Sequence, residues 1–108
     1  MSVKIDLAKD FSNVPAGRFV GDGPFSGEAF RDRLLVPALA RGDEVIVELD
    51  GAEGYGSSFL EEAFGGLIRT KKFKGPDLRA RLKLVSEDGS LLEEAWTYID
   101  RAQQQQHA

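Results

Sequence analysis

An α/β architecture is predicted by three features of the chain: period-two alternation around Val3, Ile5 and Leu7, a short apolar run at 45–49, and helical spacing of apolar residues on both sides of that run. With 108 residues there is room for one hydrophobic core and not for two. We assign 1–102 to that domain and 103–108 to a flexible polar tail holding the lone histidine, His107.

The elements follow in order. Lys4 and Asp6 between Val3, Ile5 and Leu7 give a strand with one wet face, and 18–20 reads as a short second strand before the turn Gly21-Asp-Gly-Pro24. Ser26 can cap a helix that turns Phe30, Leu34, Leu35 and Ala38 inward, with a kink or restart at Pro37. Val45, Val47 and Leu49 share one face and Ile46 the other, as in a central strand buried on both sides. Leu60, Ala63, Phe64, Leu67 and Ile68 form a helical stripe after a glycine-rich loop. Residues 71–77, with Gly75-Pro76, read as a connecting loop, and Leu82 and Leu84 as another strand. Ser90 and Glu93 make a capping box for a last helix with Leu92, Ala95, Trp96 and Ile99 inward. The expected fold is therefore a mixed sheet of four or five strands with three helices mainly on one face.

Composition narrows the function. No apolar run reaches the roughly 20 residues of a membrane span, and the first residues lack a signal-peptide pattern. Cysteine is absent, which leaves no disulfide framework and no thiolate metal site, so a cytoplasmic location is the expectation. A net charge of -4 argues against a general nucleic-acid binder. The charge is uneven, however: Arg69, Lys71, Lys72, Lys74, Arg79, Arg81 and Lys83 are opposed only by Asp77, a segment that reads either as a solvated, dipole-compensating stretch or as a patch for an acidic partner.

The loop and helix start at 51–58 attract the most attention. A serine nucleophile would need the form Gly-x-Ser-x-Gly with a histidine base, and Gly56-Ser-Ser-Phe-Leu60 has neither the second glycine nor a nearby histidine. Gly54-Tyr-Gly56-Ser-Ser-Phe59 holds two of the three glycines of a dinucleotide loop, and no Gly-Lys-Ser or Gly-Lys-Thr marks a P-loop. The carboxylates Asp6, Asp22, Asp50 and Glu53 are too scattered to specify a metal, and no cofactor is assigned. Structurally, Ser58 with Glu61 three residues on makes a capping box worth about 1 kcal/mol. On a wheel anchored by the Leu60 stripe, Glu61, Glu62, Gly65 and Arg69 lie away from the core. Gly65 and Gly66 fall mid-helix, where each costs about 1 kcal/mol relative to alanine. Gly65 then leaves a depression on an outer face, while Gly66 lets the helix approach the sheet. Phe59, off the stripe, is a candidate anchor for a partner.

Two stretches carry a resemblance: Val45-Ile-Val-Glu-Leu-Asp50 with Ser57-Ser-Phe-Leu-Glu-Glu-Ala-Phe-Gly-Gly-Leu67, and Ser26-Gly-Glu-Ala-Phe-Arg-Asp-Arg-Leu-Leu-Val-Pro-Ala-Leu39. Over about 24–70 the chain resembles bacterial STAS-like domains of unknown function. These are similar in turn to the STAS domains of anti-sigma-factor antagonists, in which a serine between the central strand and its helix is phosphorylated by a partner kinase of the histidine-kinase-like ATPase fold. The antagonist motif reads Asp-Ser-Ser or Asp-Ser-Thr followed by Gly-Leu; here Gly56 stands at the aspartate, Ser57 at the phosphoacceptor and Phe59 at the glycine. The resemblance implies a non-catalytic regulatory module with a protein partner. Ser57 and Ser58 are its candidate phosphoacceptors, and Gly54, Tyr55, Gly56, Phe59, Glu61, Glu62 and Gly65 its contact surface. The competing expectation is a small-ligand or nucleotide-binding domain that uses the glycine-rich loop at the helix N-terminus.

Overall fold

The computed structural model describes residues 1–106; His107 and Ala108, the end of the expected tail, lie outside the described residues. Three strands, β1 (Ser2–Asp6), β2 (Glu44–Glu48) and β3 (Leu82–Val85), form a wholly parallel sheet in the order β1-β2-β3. The expected mixed sheet of four or five strands is thus corrected to three parallel ones. Register places Val3 beside Val45, Ile5 beside Val47, Val45 beside Leu82 and Val47 beside Leu84, and this row turns into the core. The alternate row, with Lys4 beside Ile46 and Ile46 beside Lys83, faces outward. Ile46 is only partly buried, so β2 is covered on one face and not on both.

Five helices accompany the sheet: α1 (Leu7–Asp10), α2 (27–41), α3 (57–69), α4 (Gly75–Arg81) and α5 (Gly89–Gln106), together with a short 3-10 turn at Val20–Asp22. That turn replaces the expected strand at 18–20. Asp22 Oδ2 accepts from the backbone N–H of Arg18 and of Phe19, and this local bonding closes the chain on itself instead of extending it.

Ser26 caps α2 as expected, its Oγ accepting from Ala29 N at 3.2 Å. Proline at 37 neither ends nor restarts the helix. The turn before it, Arg31–Leu35, widens to π winding, which accommodates the missing N–H and the ring, and α winding resumes at Val36–Arg41. α3 has the same build, with a π stretch at Glu61–Gly65.

α4 corrects the expected loop at 71–77. Pro76 sits in its first turn with Asp77, Arg79 and Arg81 lie in the last turn, and Leu78 is fully buried. α5 starts on Asp88, whose Oδ1 accepts from the N–H groups of Ser90 and Leu91; the expected Ser90–Glu93 box is not the cap. The helix runs on through Gln106, and Gly75 N donates to Gln103 Oε1 at 2.6 Å, which ties that one side chain of the polar stretch to the start of α4. No helix among the described residues is long and apolar enough to cross a membrane.

Candidate functional site

In parallel sheets the carboxyl ends of the strands and the helix N-termini they feed form the usual binding edge. β2 leaves the sheet through Leu49 and Asp50 into the loop 51–56, which delivers α3. The loop is fixed at several points. Asp50 accepts from Ser86 Oγ at 2.7 Å and from Glu87 N at 2.9 Å, tying it to the segment after β3. Tyr55 donates its hydroxyl to Leu49 O at 2.6 Å, and Glu53 N donates to Asn13 O at 2.8 Å.

Between this loop and the start of α5 lies an open cleft of about 360 Å³, lined by Asp50, Glu53, Asp88, Ser90 and Glu94 among others and by no lysine or arginine. The Ser86 hydroxyl, aided by Glu87 N, holds Asp50 below the usual carboxylate range, and the Ser90 hydroxyl, aided by Leu91 N, does the same for Asp88. Burial first, and then the fields of Asp50, Asp6 and Glu48, push the Tyr55 phenol well above its ordinary value. At neutral pH Asp50 and Asp88 are therefore ionised and the Tyr55 phenol is protonated, and the cleft carries negative charge. Among the described residues no group of three or more His, Cys, Asp or Glu side chains is placed to hold a metal ion.

The serines sit where the loop becomes helix, but not in the expected capping role. Gly56 is the N-cap, in extended conformation, and Leu60 N donates to its carbonyl. Ser57 and Ser58 are the first helical residues, both exposed, and among the described residues neither hydroxyl has a hydrogen-bond partner. Glu61, the supposed partner of Ser58, is engaged elsewhere. Gly54 and Gly56 are exposed and Tyr55 is half-buried beside them.

Of the rest of the predicted contact surface, Phe59, Glu62 and Gly65 are buried and Glu61 is a quarter exposed. Phe59 is fully buried, its ring 5.8 Å from Tyr55 and 6.1 Å from Phe30, so it is a core residue and not a partner anchor. Glu62 is 3% exposed, and its Oε2 accepts from Arg31 Nη1 at 2.5 Å; Arg31 is itself 4% exposed and also pairs with Asp32 at 2.8 Å. Arg69 bonds Glu61 at 2.6 Å and Glu62 at 3.0 Å, while Arg18 bonds both glutamates from the loop before α2. Burial by itself would raise Glu61, but the guanidinium bonds of Arg69 and Arg18 outweigh it and leave the carboxyl below its usual range.

Gly65 is also buried: a Cβ there would meet Glu61 Oε2 at 2.7 Å and the Tyr98 carbonyl of α5 at 3.3 Å, so no outer depression exists. Gly66 makes room for a side chain and not for the sheet, since a Cβ added there would clash with Arg31 Nη1. α3 is enclosed by the core on one side, by α2 on another and by α5 on a third, which is why a wheel with a single buried stripe misplaced Phe59, Glu62 and Gly65.

Sequence reasoning missed Arg18 and Arg31 as partners of the two glutamates. The available signal was a pair of adjacent acids inside a helix that is otherwise apolar or small. Four of the seven cations of the basic segment pair within the chain: Arg69 as above, Lys71 with Asp32 at 3.5 Å and Arg79 with Asp100 at 2.9 Å at the surface, and Arg81 with Asp77 and the carbonyls of Leu39 and Gly42.

No curated protein and no solved structure matches this chain. A family model does match, over residues 26–91, and its description is a STAS-like domain of unknown function, DUF4325. The matched region holds both segments that form the glutamate–arginine network in α2 and α3, the serine junction and all of β2 and β3. With more than half of its length inside that match, the chain belongs to the family of STAS-like domains of unknown function.

Proposed function

We propose that this domain is a non-catalytic regulatory module that docks a protein partner through the loop 51–56 and the exposed start of α3, with phosphorylation of Ser57 as its switch. The observation that carries the reading is the state of the two serines. Every other polar side chain between Ser57 and Arg69 is bonded inside the fold, while these two hydroxyls are exposed and unbonded.

Electrostatics supports the same reading. A phosphate in the first turn of α3 gains about 0.3 to 1 kcal/mol from the helix dipole. Glu61 and Glu62 would oppose it if bare, but Arg18, Arg31 and Arg69 neutralise them. The acidic cleft, with no cation in its lining, weighs against the competing nucleotide-binding reading, since a polyphosphate would meet four carboxylates there and no lysine or arginine.

The partner that would act on the serine is a kinase of the histidine-kinase-like ATPase fold. The test is intact-mass measurement after incubation with such an ATPase and ATP. Wild type and Ser58→Ala gain one phosphate and Ser57→Ala gains none; an unchanged mass in all three removes the switch. A thermal shift produced by nucleotide alone would favour the ligand reading instead.

A further inference from the structure

The segment 12–28 carries an unusual concentration of exposed apolar side chains. Val14 is 45% exposed, Phe19 51%, Val20 58% and Phe25 37%; of the other large apolar residues described, only Met1 and Val85 are comparably open. Nothing about the backbone here is loose. Ala16 N donates to Phe25 O at 2.9 Å, Gly27 N to Gly17 O at 3.0 Å and Glu28 N to Arg18 O at 3.0 Å, so both ends of the loop are tied to each other. Gly17, at φ +93, makes the turn that a side chain would strain and that leaves no room for a Cβ against Asp22. Val20 N donates to Glu28 Oε1 at 2.9 Å. A chain this fully bonded holds Phe19 and Val20 outward in a fixed pose, so little entropy is lost when something covers them.

The segment is also continuous with the serine junction. Arg18 reaches inward to Glu61 and Glu62 in the turn after Ser57 and Ser58, while its neighbours Phe19 and Val20 turn out. On the other side, Asn13 O holds Glu53 N of the glycine-rich loop. Charge then narrows the occupant. Arg18 is the only cation of residues 12–28 and is committed to the two glutamates, whereas Asp22, Glu28 and the adjacent Glu53 are acidic, as is the cleft beyond them. Such a rim repels a second copy of itself, a nucleic acid and an anionic lipid surface.

We propose that Phe19 and Val20, on this braced segment, anchor a basic protein partner that offers an apolar pocket rimmed by lysine or arginine. This rests on the reading of the domain as an interaction module and adds the anchor and the partner's chemistry.

The test needs no knowledge of the natural partner. A random peptide library is selected against the folded wild-type chain, and the recovered peptides are synthesised and titrated by calorimetry. The expected ligands combine aromatic or aliphatic residues with lysine or arginine. Their Kd rises at least ~10-fold for the Phe19→Ser, Val20→Ser double variant, as for loss of a central anchor, and also rises with added salt. The double variant keeps the wild-type melting temperature; if it does not, Val20→Ser alone is titrated. Acidic ligands, an unchanged Kd in the variant, concentration-dependent self-association that the variant abolishes, or variant-sensitive binding to anionic vesicles would each overturn the proposal. Phosphorylation of Ser57 is scored separately: a positive mass result with peptides indifferent to Phe19 and Val20 removes this anchor and leaves the module reading standing.

Discussion

The first two residues of α3 and the eight that follow belong to one unbroken helical run, yet they live in opposite environments. Ser57 and Ser58 are exposed with unbonded hydroxyls, whereas 59–66 are buried except for Glu61, which is a quarter exposed and paired to two arginines. The polar half of that interior string, Glu61 and Glu62, serves α2 and the 12–25 loop; the glycine half, Gly65 and Gly66, admits α5 and the Arg31 side chain. A distinctive run of residues can thus be mostly architecture, with its outward-facing chemistry confined to one end.

The contrast is broken most forcefully at Glu62. Glu62→Ala leaves Arg31 buried with only Asp32 and a carbonyl as partners, and we expect a loss of about 3 kcal/mol in urea unfolding, the lower end of the range for an orphaned buried charge. Against a typical stability of roughly 5 to 15 kcal/mol, that is a large share. A loss comparable to a surface substitution would show that the interior half is not the structural unit described.

A milder probe is acid. Glu61 and Asp32 both titrate below their ordinary values of 4.5 and 3.8. For Asp32, burial alone would raise the carboxyl, but the Arg31 bond outweighs it. Depressed values in the folded state mean that their contribution is complete above the unfolded pKa and fades as pH falls through the folded one. Urea midpoints should therefore decline from about pH 4.5 downward, and less steeply in Glu61→Gln. A slope identical to wild type in that variant would show that the Arg18 and Arg69 bonds carry no linkage.

The smallest effect is expected at the serines themselves. Ser57→Ala and Ser58→Ala should each shift stability by no more than about 0.5 kcal/mol, because neither hydroxyl is bonded. A loss near 1 kcal/mol at Ser58 would restore the capping role that Gly56 holds here. These near-neutral variants are the ones in which a change of partner binding can be read cleanly.

Much of the fold is legible from local pattern. The inward row of Val3, Ile5, Val45, Val47, Leu82 and Leu84, the Ser26 cap and the Leu60, Ala63, Phe64, Leu67 and Ile68 stripe all follow from periodicity and capping chemistry. The misreadings occur where a distant contact overrides a local signal. Phe19 and Val20 suggest a strand, but Asp22 folds them into a turn; Gly75-Pro76 suggests a loop, but Pro76 opens a helix held by Leu78 and Gln103. The acids of α3 look solvated because two of the three guanidiniums that meet them, those of Arg31 and Arg18, arise 31 and 43 residues away. Of the candidate site, the exposure of Gly54, Gly56, Ser57 and Ser58 is what strand-loop-helix order suggests, whereas the burial of the next turn depends on a helix enclosed by two others, which no single-stripe wheel represents.

The widened turns at Arg31–Leu35 and Glu61–Gly65 bear on how relatives of this chain should be aligned. A π turn absorbs one residue beyond ordinary α winding, so the part of a helix beyond it keeps the angular phase of a chain one residue shorter, an offset of about 100° on a wheel. Length at these two points is a degree of freedom: a relative lacking one residue there reaches the same packing by regular winding. Fixed-spacing comparison from the serines to the glycines would then match the wrong pair.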